Sequence, residues 1–358
     1  MADTRSPGRP AVDVVIPCYR YGAMLPDAVH SVLAQDGVDV RILIIDDASD
    51  DDSAQVALGL AAADDRVTVR VHERNMGHVL TYNEGILGWA SAEYTLLLSA
   101  DDAITPGALA RATALMQQHP SVGFVYGLTH VWQGDTLPTH PAPVVEPRFV
   151  VHPGARWLRR RVLLGENCVP TPTAVVRTSV QHRVGGHNAD IPHTADFEIW
   201  MRFALQADVG FVADQRQGYS RVHGSNMSTP YETADSGVRA LRERMAAILS
   251  VLGQAGDRLP DVADLERRMR RRLATDAIVK VSRSYDKGRV DDRLCKELID
   301  FATEAAGDVT ALPAWQFLRL RQHLGPRIVP ALRPLVVTAA VRRVRQRLRD
   351  RKQQLSGV

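Results

Sequence analysis

Cysteine is scarce in this chain of 358 residues. Only Cys18, Cys168 and Cys295 are present, and none forms a C-x-x-C pair. That excludes a disulfide framework and a cysteine zinc site, and it fits a reducing, cytoplasmic setting. Lysine is rarer than arginine: Lys280, Lys287, Lys296 and Lys352 are the only lysines among 44 basic residues, a bias expected of a high-GC bacterial genome. No apolar run approaches the roughly 20 residues of a membrane span. The polar segment Met1 to Pro10 lacks the apolar centre of a signal peptide. No charge of one sign dominates, and a net charge of +3 is too small to imply nucleic acid as a partner. There is no internal repeat. The remaining composition, 45% hydrophobic and 24% charged, is that of an ordinary globular chain with one large or two ordinary domains.

The first part of the chain alternates strand and helix signals. Short apolar runs at Val12 to Pro17, Val40 to Ile45, Tyr94 to Leu98 and Val122 to Tyr126 predict strands, and Val67 to His72 alternates and reads as a further strand. Helical periodicity falls between them at Ala23 to Gln35, Ser53 to Ala63, Leu80 to Ala90 and Pro106 to His119. This order calls for an α/β fold, a mainly parallel sheet with helices on both faces. Residues 136–153 are rich in proline and predict a loop or an extended arm. A helix is expected from Asp196 to Ala207 with Ile199, Trp200, Phe203 and Ala204 inward. After Ser228 the composition becomes helical, with helices expected at Gly237 to Gly253, Val262 to Ser284, Arg289 to Ala306 and Ala331 to Gln354. A boundary near residue 236 divides an α/β domain, 1–236, from a helical C-terminal region, 237–358.

Carboxylates collect at the predicted strand ends. The run Tyr94 to Leu98 leads into Ser99-Ala100-Asp101-Asp102, and the second strand ends in Asp46-Asp47-Ala48-Ser49. Ligands of open α/β sheets bind at the carboxyl edge of the strands. One acid there is commonly a helix cap. Paired acids at two strand ends of one sheet suit a hard divalent cation or a ligand donor edge better.

With these residues in order, the chain resembles family 2 glycosyltransferases with the GT-A nucleotide-sugar fold. The resemblance covers roughly residues 12 to 228. It rests on Val14-Val15-Ile16-Pro17-Cys18-Tyr19, Ile44 to Asp50, the Asn75-x-Gly77 to Asn83-x-Gly85 stretch, the acidic turn Ser99 to Pro106, Gly185-Gly186, and Ala195 to Arg202. It implies an inverting transfer of sugar from a UDP- or dTDP-type donor to a hydroxyl or amine on a small molecule or glycan. Pro17, Cys18, Tyr19, Asp47, Asn75 and Asp101 are then expected to hold the nucleotide. Tyr19 would offer a ring face, Asp47 would accept a base N–H, and Asp101 would hold the ribose. Asp102 and His223 are expected at a divalent cation, Mn²⁺ or Mg²⁺, with Arg221 as an alternative partner of the phosphates. Asp196 is the expected general base. Its plain alternatives are a helix cap or a bond to Arg202, and Glu198 is expected to be structural or solvent-facing.

The chain departs from the family pattern at four places. Ser99 replaces an Asp, Ala48 a Gly, Ala195 a Glu and Tyr82 an Arg. Two rival readings follow: a non-catalytic protein that kept the fold, or a sugar nucleotidyltransferase. The second would need a glycine-rich basic loop after the first strand, which Pro17 to Gly22 does not supply. The basic segment Val341 to Lys352 predicts a helix packed on its own domain or on a second subunit, or one lying on an anionic membrane surface.

Overall fold

The protein is described here from a computed structural model. It describes residues 8–134, 136–138, 146–224, 226, 236–331 and 353–358. The expected basic helix over 341–352 and most of the stretch 225–235 lie outside the described residues. The chain divides into two compact units. One comprises 1–157, 168–224 and 354–358, the other 158–167 and 225–353.

The first unit is built on a nine-stranded mixed sheet. Strands β1 (Ala11–Cys18), β2 (Asp39–Asp46), β3 (Val67–Val71) and β4 (Tyr94–Leu97) run parallel in the order β3-β2-β1-β4. Helices α1 (Leu25–Leu33), α2 (Ser53–Ala63) and α3 (His78–Asn83) form the connections. β1, β2 and β4 are largely apolar because both their faces are covered, whereas the edge strand β3 is partly exposed. On β1, Val12, Val14 and Ile16 pack into one cluster with Leu25, Val29 and Ile42, while Val15 joins Leu43, Ile45 and Ile86 in another. The register pairs Cys18 with Asp46, so β1 and β2 end at one level.

Beyond β4 the sheet turns antiparallel. β8 (Val175–Arg177) sits between β4 and β6 (Val122–Trp132), and β9 (Asp208–Arg221) lies parallel to β6. β5 (Ala103–Ile104) and β7 (Arg148–His152) both pair antiparallel with β9. The expected fifth strand therefore extends to Trp132, and part of the proline-rich stretch is the strand β7. Helix α4 (Ala108–Gln118) follows the acidic turn; α6 (Thr178–Val184) and α7 (Ala195–Gln206) precede β9. The inward residues expected on α7 are all buried, and Trp200 stacks on Phe124 at 5.3 Å.

The helix after β3 departs from the expected regular form. α3 ends at Asn83, and Glu84–Trp89 continues as a wider π turn. Gly85 faces Val15 so closely that a Cβ would lie 2.3 Å from Val15 Cγ1. A side chain at this position would push the turn off β1.

The second unit contains α5 (Gly154–Leu164) from its residue 158 onward, α8 (Ser236–Gly253), α9 (Val262–Asp286), α10 (Asp292–Ala306) and α11 (Pro313–Ile328). Leu265, Met269, Leu273, Ala277 and Val281 repeat every fourth position and form the buried stripe of α9. Asp291 caps α10 by accepting the Leu294 N–H at 3.0 Å. Arg321 of α11 pairs with the buried Asp286 of α9 at 2.7 Å. Helix α11 was not anticipated. It begins at Pro313 and is kinked at Gly325-Pro326, which breaks the periodicity a reader would follow.

Candidate active site

The loops after β1 and β2 clasp each other at the carboxyl edge. Arg20 forms a two-pronged pair with Asp50 at 2.5 Å for both bonds, and its backbone N–H donates to Ser49 Oγ at 2.9 Å. The Asp47 N–H donates to the Cys18 carbonyl at 2.9 Å. Pro17 is half-buried, Cys18 is buried, and Tyr19 is 41% exposed with the Arg20 guanidinium 5.1 Å from its ring centre. Burial pushes the Cys18 thiol up to about 11, so it stays a neutral thiol.

Asp47 is buried and heavily engaged. Its Oδ1 accepts from Met76 N at 2.7 Å and lies 2.8 Å from His72 Nδ1; its Oδ2 accepts from Gly77 N at 2.9 Å. Asn75 donates from Nδ2 to the Asp47 carbonyl at 3.1 Å and turns the loop by accepting Gly77 N at 3.0 Å. Burial raises the Asp47 carboxyl, but the donors of Met76, His72 and Gly77 outweigh it, and the net shift is downward. Asp47 is an anion at neutral pH.

The turn after β4 holds the second acidic pair. Asp101 is buried and meets His223 Nε2 at 3.1 Å; Asp102 Oδ1 accepts the Arg221 N–H at 3.1 Å. The Tyr21 ring stands edge-on to His223 at 5.5 Å. Burial, then the Asp101 charge, push the Asp102 carboxyl well above the ordinary range, against the pull of Arg221. The buried Arg221 guanidinium pairs with Asp27 and lies 4.7 Å over the Trp132 ring. Among the described residues no three His, Cys, Asp or Glu side chains form a ready metal cage.

Asp196 lies in the first turn of α7, half-buried, where its charge suits the helix dipole. Its Oδ1 accepts the Phe197 N–H at 2.7 Å, while the cap position belongs to Thr194. Arg202 instead engages Glu198, with its Nε 2.8 and 2.9 Å from the two carboxylate oxygens. Glu198 is buried, so of its two expected roles the structural one applies. The other nitrogens of Arg202 donate to the carbonyls of Val184 and Gly186. The pair thus fixes the Gly185-Gly186 turn to α7.

Tyr82 lies on α3. Its ring stands edge-on to His78 at 5.4 Å and His187 at 5.7 Å. The phenol is pushed upward by burial first, then by the charges of Asp101, Asp196, Tyr21 and Asp102. His187 is buried and held neutral, its value lowered to about 3 by burial and the nearby Arg202 and His78. His72, Glu84, Arg202 and Tyr82 were given no site role from the sequence. The one available signal was His72, which follows a strand at the same edge as Asp47.

Residues 13–174 match the Glycosyl transferase family 2 profile, so this segment carries that family's sequence pattern. It is 30% identical over 214 residues to an uncharacterized protein of Mycobacterium tuberculosis, covering 58% of this chain and 66% of that protein. Two further curated relatives are matched over only 26% and 36% of their own length, so the chain spans less than two thirds of each of these three proteins. Among solved structures it resembles S. aureus TarS 1-349 in complex with UDP-GlcNAc, with a TM-score of 0.51, 16% identity, and 83% of this chain and 90% of that one covered. It also resembles the mannosyltransferase PcManGT from Pyrobaculum calidifontis in complex with GDP-Man and Mn²⁺, with a TM-score of 0.53, 15% identity, and 94% and 88% covered. At such identity these likenesses speak to the GT-A fold alone.

Proposed function

We propose that the first unit transfers a sugar from a nucleoside diphosphate, of UDP or dTDP type, to a hydroxyl or amine acceptor with inversion. The observation that supports this reading is the paired hydrogen bond of Asn83 with the His187 main chain, at 2.9 and 2.7 Å, which ties the turn leading to Asp196 to the helix that follows the loop bonded to Asp47. On this reading the donor-binding carboxylates and Asp196 serve one cleft. Asp196 takes the proton of the acceptor hydroxyl as that oxygen attacks the anomeric carbon from the face opposite the diphosphate. The new C–O bond forms, the bond to the diphosphate breaks, and the electron pair leaves with the phosphate oxygen. Tyr82, held neutral, keeps its proton available for donation to a substrate oxygen there.

Asp101 and Asp102 fit a divalent cation of the Mn²⁺ or Mg²⁺ kind. Burial and the Asp101 charge both oppose ionisation of Asp102, and a bound cation would offset both; such cations take one or two carboxylates and fill the rest with phosphate and water. Asp102 would hold the ion with His223, and when bound it would stabilise charge on the departing diphosphate. The neighbours in complex with UDP-GlcNAc and with GDP-Man and Mn²⁺ support a nucleotide-sugar donor without choosing its base. Among the described residues no helix is long and apolar enough to cross a membrane.

Calorimetry with UDP, dTDP and GDP, each with and without Mn²⁺, tests the proposal. Binding that prefers one base and strengthens with Mn²⁺ is expected. A folded protein that binds none of the three would overturn it.

A further inference from the structure

A polar chain runs behind the loop that carries Asp47. His72 follows directly on β3, and its ring lies between two carboxylates. Nδ1 is 2.8 Å from Asp47 Oδ1, and Nε2 is 2.9 Å from Glu84 Oε2. Glu84, on the π turn, is held in turn by Arg70 of β3, whose Nη1 donates to Oε1 at 2.8 Å. Carboxylates only accept hydrogen bonds, whereas a neutral imidazole has a single N–H. Both ring nitrogens must therefore carry protons for both contacts to be made. The geometry assigns an imidazolium.

The consequence falls on Asp47. A carboxylate offers about four acceptor positions. Met76 N and His72 occupy those of Oδ1, and Gly77 N occupies one on Oδ2. One position remains, on Oδ2. A loop that needed Asp47 only as a staple would have no use for a fixed cation on its far side. A pocket that must present one ionised oxygen at a fixed angle to a base N–H does.

We propose that His72, clamped as an imidazolium by Glu84 and Arg70, is the positioning residue that holds Asp47 with a single acceptor position free for the base of the donor nucleotide. This rests on the nucleotide-sugar reading above and adds to it. It also makes donor binding depend on pH. Burial opposes the charge on His72, but the bonds to Asp47 and Glu84 outweigh it and the net shift is upward. The groups facing the ring are Asp47 from the β2 loop and Glu84 from the π turn, with Arg70 behind Glu84. As pH rises through the raised value, the ring loses one proton and can donate to only one carboxylate. The other is left facing a lone pair, and the hold on Asp47 loosens.

The test uses UDP-GlcNAc and GDP-mannose, whose diphosphate diesters lack the titrating terminal phosphate of a free nucleotide. Affinities are measured by calorimetry between about pH 6 and pH 8.5, across the range where a raised histidine loses its proton. They are compared for the wild type, His72→Gln and Glu84→Gln, and the His72 titration is followed by imidazole NMR. The preferred donor is expected to bind about tenfold more weakly at the upper limit, tracking the NMR midpoint, since a charge-assisted bond is worth about that much. His72→Gln should bind weakly at all pH values with a flat profile. Glu84→Gln should move the midpoint to lower pH, and it keeps the test open should His72→Gln fail to fold. Binding that ignores the NMR-measured titration, or a profile identical in His72→Gln, overturns the positioning role alone. Failure of both donors to bind at any pH overturns the nucleotide-sugar reading and this inference with it.

Discussion

Asn83 and His187, 104 positions apart, exchange two hydrogen bonds. The Asn83 amide donates to the His187 carbonyl at 2.9 Å and accepts the His187 N–H at 2.7 Å. Gly186 permits this approach: a Cβ there would stand 2.5 Å from the Asn83 side chain. The turn that leads to Asp196 is thereby fixed to α3, the helix that carries Tyr82. Asn83→Ala leaves a buried N–H and C=O without partners. A loss of about 2–3 kcal/mol in urea unfolding is expected. Transfer rate should fall further than donor affinity, because the displaced segment carries Asp196 and not the nucleotide loops.

If the proposed function holds, variants of Asp196 and Tyr82 separate base chemistry from binding. Asp196→Asn keeps the side chain's size and its contact to the Phe197 N–H. Donor affinity should stay about the same while kcat falls by roughly 10²–10⁴, the usual worth of a positioned base. Tyr82→Phe keeps the ring against His78 and His187 but removes the hydroxyl, and a fall in kcat of about tenfold is expected, less than the loss of a full oxyanion donor. Steady-state kinetics with a released-diphosphate assay checks both. An Asp196→Asn enzyme at wild-type rate would remove the base assignment.

Ala48 occupies a left-handed conformation, φ 57°, in the loop between Asp47 and Ser49. An L side chain is strained there by about 1–2 kcal/mol. Ala48→Gly relieves that strain and returns up to about 1 kcal/mol as extra freedom of the unfolded chain. A net gain of about 0.5–1 kcal/mol is expected, read as a higher urea midpoint at unchanged slope. An unaltered or lower midpoint would show that the loop holds Ala48 without cost.

The loop glycine of the family motif thus has a steric reason visible in this chain, and much else in the sequence reads the same way. The apolar runs of β1, β2 and β4 were legible because burial on both faces leaves no polar alternation to confuse them. Asn75-x-Gly77 and Asn83-x-Gly85 were legible as motifs, but their roles needed coordinates: Gly77 serves Asp47, Asn83 serves His187, and Gly85 meets Val15. The His72–Glu84 contact was not legible, since a separation of twelve positions crosses from a strand end to a π turn that no periodicity announces. Glu198 and Arg202 sit at ordinary helix spacing. Only burial distinguishes their pair from a solvated one.

Asp13 shows the same limit inside a strand. It is fully buried on β1 and accepts from Arg41 at 2.7 and 2.9 Å, Ser91 N at 2.7 Å and Ala92 N at 2.8 Å. Arg41 is partly exposed and can turn to water, but the two backbone donors are not free to do so. Asp13→Ala is expected to cost about 3 kcal/mol, through unsatisfied donors more than through the lost ion pair. Chemical unfolding measures it directly, and a cost under about 1 kcal/mol, the worth of a surface pair, would show that water replaces the carboxylate.

The acidic pair beside His223 sets a pH dependence opposite to that of His72. Burial first, and then the charge of Asp101, keep Asp102 protonated to higher pH than an ordinary carboxyl. A folded-state value above the unfolded one means the folded protein holds that proton more tightly. The resulting stability is present in full below the ordinary Asp range and is lost as pH rises through the raised value. A divalent cation must displace the same proton. Mn²⁺ affinity should therefore climb with pH by up to about tenfold per unit until the carboxyl is ionised, then level off. Counting free Mn²⁺ by electron paramagnetic resonance at about pH 6, 7 and 8 reads the slope, across a window where an ordinary Asp no longer titrates. Asp102→Asn should abolish the slope and reduce the fall in stability toward high pH. Mn²⁺ binding with one affinity throughout that window would mean that Asp102 is ionised without the metal, and the cation would have to be held by other groups.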